Sequence, residues 1–217
     1  LSSEKPRETI RFSMESSDPT NHSDQYTKPF SIAETTTLKT ALFIDGNIAG
    51  QVSEKIFNFH KALGKSVRYN IPCKQKYSGN GAITLVDGLT GTLSHNDGYW
   101  QGWEGENLDV VIDLGEPESI ENLSLSFLEA HSSWIFFPTD IIVSFSDEGD
   151  SFKHKKKISL SDGENYCKNN RKVVNMNSLN SSARFVRVQA INRKICPAWH
   201  DGAGGKAWIF ADEIVIR

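Results

Sequence analysis

The residues best suited to chemistry cluster between Leu85 and Trp103, where the chain reads LVDGLTGTLSHNDGYWQGW. A short apolar strand is expected to run into the Asp87-Gly88 turn, and from there into a polar loop that ends on aromatics. One carboxylate at Asp87, one hydroxyl at Thr92 and the carbonyls between them can surround a hard cation, as calcium is commonly held. The same spacing serves equally as a surface turn capped by Thr92. Behind the turn, His95, Tyr99, Trp100, Gln101 and Trp103 set rings beside hydrogen-bonding groups, a mixture that suits a sugar.

Short strands are expected to position these residues. In the first region Ile10 to Met14 alternates as IRFSM, followed by candidate strands at Phe30 to Ala33, Thr36 to Ile44 and, past Asp45-Gly46, Val52 to Phe59. In the second, strands are expected at Val67 to Ile71, Leu108 to Leu114, Ser119 to Leu128, Ile135 to Phe145, Phe152 to Leu160, Ala183 to Ile191 and Ala207 to Ile216. No segment offers three helical turns of 3.6 periodicity, so the fold is all-β. Two domains are expected, 1-65 and 66-217, with the joint between Gly64 and Gly81.

The chain has 217 residues, 38% apolar and 24% charged, with a net charge of -3. It is long enough for a real core and has no apolar run fit to span a membrane. Its one dense basic cluster, KHKKK at Lys153 to Lys157, reads as a solvated strand edge, so nucleic acid is not an expected partner. Cys73, Cys167 and Cys196 lack metal-site spacing, and the sequence does not choose a disulfide pair among them. Sequons begin at Asn21, Asn122 and Asn180, and the chain opens on polar LSSEKPRET, so it reads as a piece of a longer polypeptide.

Two stretches resemble known families. The S-x-D-P-T loop at Ser16 to Thr20, the Tyr26 to Phe30 step YTKPF, the Thr-rich strand and HKALGK are similar to the small β-sandwich module of bacterial chitobiases and family 20 β-hexosaminidases. The succession LVDG, WQGWEGENLDVVIDLG, SWIFFPTDIIVSFSDEGDSF, ARFVRVQAIN and ADEIVIR resembles the discoidin, or coagulation factor V/VIII C-type, domain, whose sugar-binding members form carbohydrate-binding module family 32. Together they imply a small Ig/Fn3-like β-sandwich followed by a galactose-binding-like jelly-roll sandwich. WQGWEGENLDVVIDLG with AWHDGAGGKAWIFADEI is closest to versions that end family 20 hexosaminidases of gut-type Bacteroidetes.

The resemblance implies sites as well. A structural calcium would fall on Asp87, Thr92 and Glu213, with carbonyls of Val86, Leu89 and Ala211 as further ligands; Leu89 stands where many members have Asp or Asn. Glycans would meet three loops at one end, His95 to Trp103, Glu129 to Trp134 and Pro197 to Lys206, which supply Tyr99, Trp100, Glu129, His131, Trp199 and His200. Trp103, Trp134 and Trp208 sit in strand-like contexts and are expected in the core. HSSWIFFP lacks the Arg and Asn of many galactose binders, so no galactose preference is implied.

Asp212-Glu213 matches in type the catalytic pair of family 20 hydrolases, but that pair belongs on a barrel of alternating strands and helices that this chain is too short to form. The expectation is a non-catalytic C-terminal part of a secreted, periplasmic or cell-surface glycoside hydrolase, with the second domain keeping the catalytic barrel near glycan substrates. The alternative makes both modules architectural, packing on the barrel or a dimer partner. A large apolar patch on the first domain would favour that alternative.

Overall fold

The computed structural model describes residues 8–15, 17–160 and 169–217, so Ser16 and Cys167 lie outside the described residues. The chain divides into two compact units, Leu1–Phe59 and His60–Arg217. The division falls before the Gly64 to Gly81 segment because His60 already buries its side chain against the last strand of the second unit.

In the first unit, β1 (Glu8–Ser13), β2 (Asp24–Gln25), β3 (Thr36–Ile44), β4 (Asn47–Ile48) and β5 (Ser53–Phe57) form one antiparallel sheet. β3 is central: β1 pairs along one edge, while β5 and β4 divide the other. Asp45 and Gly46 take positive φ, 47° and 79°, and turn β3 into β4 as the Asp-Gly pair foretold. Phe30 to Ala33 forms no strand; Phe30 stacks on Phe12 at 4.8 Å instead.

The second unit holds β6 (Ser66–Ile71), β7 (Gln101–Glu104), β8 (Leu108–Ile120), β9 (Leu123–Glu129), β10 (Asp140–Ser146), β11 (Lys153–Ser159), β12 (Asn170–Met176), β13 (Ser181–Ile191) and β14 (Trp208–Ile216). One sheet runs β11-β10-β13-β8-β6 and the other β12-β9-β14-β7. Alternate residues of both enter one core, including Val110 and Ile112 of β8, Val186 and Val188 of β13, Leu125 and Phe127 of β9, and Ile214 and Ile216 of β14. Sequence patterning missed β7 and β12: β7 is a four-residue strand of QGWE, and β12 shows two faces of mixed polarity at an edge. β8 runs past Leu114 through Pro117, which sits where β6 has ended and no partner needs its missing N–H. KHKKK is β11, an exposed edge strand.

The segment before Asp87 is a 3-10 helix, Gly81–Val86, rather than a strand. Four to six apolar residues cannot distinguish the two by periodicity, and here Thr84 Oγ1 accepts the Asn80 N–H at 2.7 Å to start a helical turn. Cys73 and Cys196 are free thiols, Cys196 buried.

Candidate functional site

Two of the three expected loops meet. After β9, a 3-10 turn at His131–Ser133 ends on Trp134, whose backbone is left-handed at φ 61° and ψ 23°. Its amide donates to the His131 carbonyl at 2.8 Å, and its own carbonyl accepts the Trp208 N–H at 2.9 Å, which ties the turn to β14. Across from it the 194–206 loop brings Trp199 within 5.1 Å of the His131 ring and His200 within 6.3 Å of the Trp134 ring. Gly202 and Gly205 are glycines for a reason of space: a Cβ on either would stand 2.6 or 2.7 Å from the Trp134 ring. The indole therefore lies directly on loop backbone, and the residue remains 41% exposed.

This reverses one expectation: Trp103 is fully buried with its Nε1–H on the Ile71 carbonyl, whereas Trp134 is on the surface. A left-handed turn aims its side chain off the sheet, which strand-like context does not reveal. The opposite correction applies to Trp100. It is 1% exposed, packed on Gly91 and among Leu128, Ala130, Ile135 and Phe210, with Nε1–H donating to the Thr92 carbonyl at 3.1 Å.

His131 and His200 are also buried, and their contacts are internal. His131 stacks on Phe136 at 4.8 Å and shares a 3.0 Å hydrogen bond with Glu129 Oε1. His200 Nε2–H donates to the His131 carbonyl at 2.8 Å and Nδ1 accepts the Gly202 N–H at 2.9 Å, which assigns its proton to Nε2. Both histidines thus build the platform under Trp134, while Trp199 is half-buried at its side and Glu129 is buried behind. Tyr99 is half-buried, its amide held by Asp97 Oδ1 at 3.0 Å. His95 joins a second aromatic group, 5.7 Å from Tyr77 and 5.8 Å from Phe210, and Tyr77 in turn meets Trp208 at 5.3 Å.

The residues expected to hold calcium are differently arranged. A bulge in β14 sets Asp212 and Glu213 opposite the single Ser126 of β9, so successive carboxyls point to different faces. Glu213 Oε1 meets His60 Nε2 at 2.7 Å and accepts the Gly88 N–H at 3.1 Å. Asp212 Oδ2 accepts the Gly91 N–H at 2.7 Å, and Asp87 Oδ1 accepts the Leu89 N–H at 2.9 Å. Thr92 is exposed and donates its hydroxyl to Asp97 Oδ2 at 2.8 Å. Val86, Leu89 and Ala211 would contribute backbone carbonyls, and that of Val86 accepts the Gly64 N–H at 2.8 Å. Among the described residues, Glu213 Oε2 and Asp212 Oδ1 are buried carboxylate oxygens without a partner, the kind of oxygen calcium takes together with carbonyls and waters.

Burial, with Asp87 and Asp212 nearby, pushes the Glu213 carboxyl up to about 9. Burial and then the Arg217 charge pull the His60 imidazole down to about 4. Both shifts favour uncharged forms, so their contact is a neutral hydrogen bond at neutral pH rather than an ion pair. Burial also raises Asp212 to about 6, with Arg171 opposing.

A jelly-roll-type sandwich with its aromatic site on loops at one end defines the class of protein. Residues 70–209 match the F5/8 type C domain model, and the chain belongs to that family. Residues 1–57 match the Fn3 associated model. No curated protein matches. Among solved structures, the chain is similar to a fucose binding module of Streptococcus pneumoniae at 15% identity, covering 80% of this chain and 97% of that one, with a TM-score of 0.48. It is similar to chitosan-binding module 1 of a Paenibacillus sp. IK-5 chitosanase/glucanase at 12% identity, covering 74% and 99%, TM-score 0.46. The lectin domain of lectinolysin complexed with Lewis B antigen stands at 13% identity, 73% and 96% coverage and 0.43. At these values the likeness carries nothing about a ligand. Among the described residues no helix is long and apolar enough to cross a membrane.

Proposed function

We propose that the second unit binds a glycan at the end of the sandwich formed by the 129–136 and 194–206 loops, with Trp134 as the ring on which a pyranose stacks. The observation that carries this is a bulky indole in the left-handed region, 41% exposed, pressed onto Gly202 and Gly205. A non-glycine residue in that conformation costs about 1–2 kcal/mol, and an exposed ring returns little of it through burial. Ser132, Asp201 and Lys206 are exposed on the same loops and offer groups for sugar hydroxyls. Trp199 is the second aromatic wall.

The test is a glycan array with the purified chain, then calorimetric titration of any hit. Trp134→Ala is expected to weaken binding at least about tenfold, the loss of roughly 1.4 kcal/mol of stacking. Full retention of affinity in that variant moves the site elsewhere, and a blank array at millimolar sugar ends the glycan reading.

The finer reading is an exported accessory part of a glycoside hydrolase of β-hexosaminidase or chitobiase type, outside the cytoplasm. It is supported by the resemblance of both stretches to modules that follow such barrels. The chain itself is read as non-catalytic, so p-nitrophenyl N-acetylglucosaminide is expected to survive incubation with it; turnover would overturn this. For the first unit an architectural role is favoured, since Ile48 and Ile56 are 50% and 43% exposed on so small a sheet, and Phe59 just beyond it is 48% exposed.

A further inference from the structure

The 194–206 loop leaves β13 through Asn192 and returns to β14 through Ala207, and one side chain closes its neck. Asn192 is 3% exposed. Its Nδ2 donates to the carbonyls of Trp103 at 3.3 Å, Glu106 at 3.0 Å and Ala207 at 3.0 Å, while its Oδ1 accepts the Lys194 N–H at 2.8 Å. Its backbone N–H donates to Asn107 Oδ1 at 3.0 Å. An amide carries two donor hydrogens and an acceptor on one flat group, so Asn192 joins both limbs of the loop to β7 and to the turn between β7 and β8. From that neck the limbs run as a short ladder. The Lys194 carbonyl accepts the Ala207 N–H at 3.0 Å, Ile195 faces Lys206, and the Cys196 N–H reaches the Gly205 carbonyl at 2.8 Å. The ladder ends at Gly205, on which the Trp134 ring lies.

We infer that Asn192 is a positioning residue for the glycan site: by locking the neck it sets the height at which the loop meets Trp134. The consequence for binding rests on the glycan reading, whereas the lock itself shows without a ligand. Two residues of extended chain separate the neck from Gly205 on each limb, about 7 Å, so a small tilt at the neck becomes a displacement under the indole. Trp134 is anchored separately, its carbonyl accepting the Trp208 N–H of β14 at 2.9 Å. Ring and loop thus hang from different attachments. Asn192 fixes the second of them, which otherwise runs through the exposed residues Lys194, Ile195 and Lys206. A recognition site needs such supports held to within about 0.5 Å.

The experiment compares the unsubstituted chain with two variants. Asn192→Asp keeps the oxygen that meets Lys194 and sets a carboxylate against the three carbonyls, and Asn107→Ala removes only the acceptor of the Asn192 N–H. Gly202 and Gly205 lie on the Trp134 ring and Gly91 on the Trp100 ring, so ring current displaces their proton NMR signals. In Asn192→Asp the Gly202 and Gly205 signals should return toward ordinary glycine positions while that of Gly91 stays. Affinity for the glycan found on the array should fall about tenfold, as the loss of a rigid support does. Asn107→Ala should move the same two signals less and weaken binding about twofold. Unmoved Gly202 and Gly205 signals overturn the inference, as does an affinity that holds once they have moved. If the Gly91 signal moves equally, Asn192 is a general stabiliser and the inference fails. If the array is blank, the glycan reading fails and the signals alone decide the lock. If Asn192→Asp does not fold, Asn107→Ala decides by the same signals.

Discussion

Trp100 and Trp134 use the same local device to opposite ends. Each lies on glycine backbone, with a Cβ on Gly91 placed 2.3 Å from one ring and a Cβ on Gly202 placed 2.6 Å from the other. Trp100 then continues inward among Leu128, Ala130, Ile135 and Phe210, and it is closed over by its own loop, whose Thr92 carbonyl takes its N–H. Trp134 has backbone beneath it and solvent above. Close packing against glycine fixes a ring's position in both cases; what differs is the second face. A buried second face yields stability, whereas an exposed one leaves a rigid surface for a partner, with little ordering entropy to lose on binding.

The comparison predicts opposite phenotypes. Trp100→Ala should destabilise the second unit by about 3–5 kcal/mol in chemical denaturation, because it empties a site with no collapsible neighbour layer. Gly91→Ala should follow at about 1–3 kcal/mol, since a buried ring has nowhere to retreat. Trp134→Ala should leave stability within about 0.5 kcal/mol while abolishing most glycan affinity. If Trp134→Ala instead unfolds the protein as Trp100→Ala does, the two rings are alike and the contrast fails.

The gross architecture was legible because it rests on period-two alternation and turn chemistry: Thr36–Ile44 is a strand over its whole expected span, and Asp45-Gly46 turns it. The two loops that meet were readable only through the family resemblance, because nothing local tells that residue 131 will touch residue 199. Which tryptophan is exposed was not readable at all. Trp134 in HSSWIFF looks like the start of a strand, and only its left-handed φ sends it outward. The glycines at 202 and 205 were the available signal, since paired small residues in a loop often mark where something large lies close. The arrangement of Asp212-Glu213 was hidden in the same way: a bulge doubles the carboxyls at one point of β14, and bulges leave no periodic trace when both residues are polar.

Subtler changes sharpen the contrast. Gly202→Ala should weaken glycan binding only about threefold and leave stability nearly unchanged, because the exposed Trp134 ring can lift off the new methyl where Trp100 could not. Acid should act on both alike. Burial pushes the Asp109 carboxyl up, but hydrogen bonds from Arg187, Asn70 and Gln189 outweigh it and hold the group below its ordinary value. A depressed carboxylate contributes stability that is present above its unfolded value, near 3.9, and is lost as pH falls through the folded one. Asp109 links β8 to β13 and β6 at the middle of the larger sheet, through Arg187 at 2.6 Å and Asn70 at 2.8 Å. Its protonation loosens the sandwich that supports both loops. Below about pH 4, melting temperature should therefore fall in the parent chain and in Trp134→Ala by equal amounts, and the loss should be smaller in Asp109→Asn, which has no proton to gain there. A Trp134→Ala protein that resists acid better than the parent would mean that the exposed ring, and not the sheet, is where acid acts.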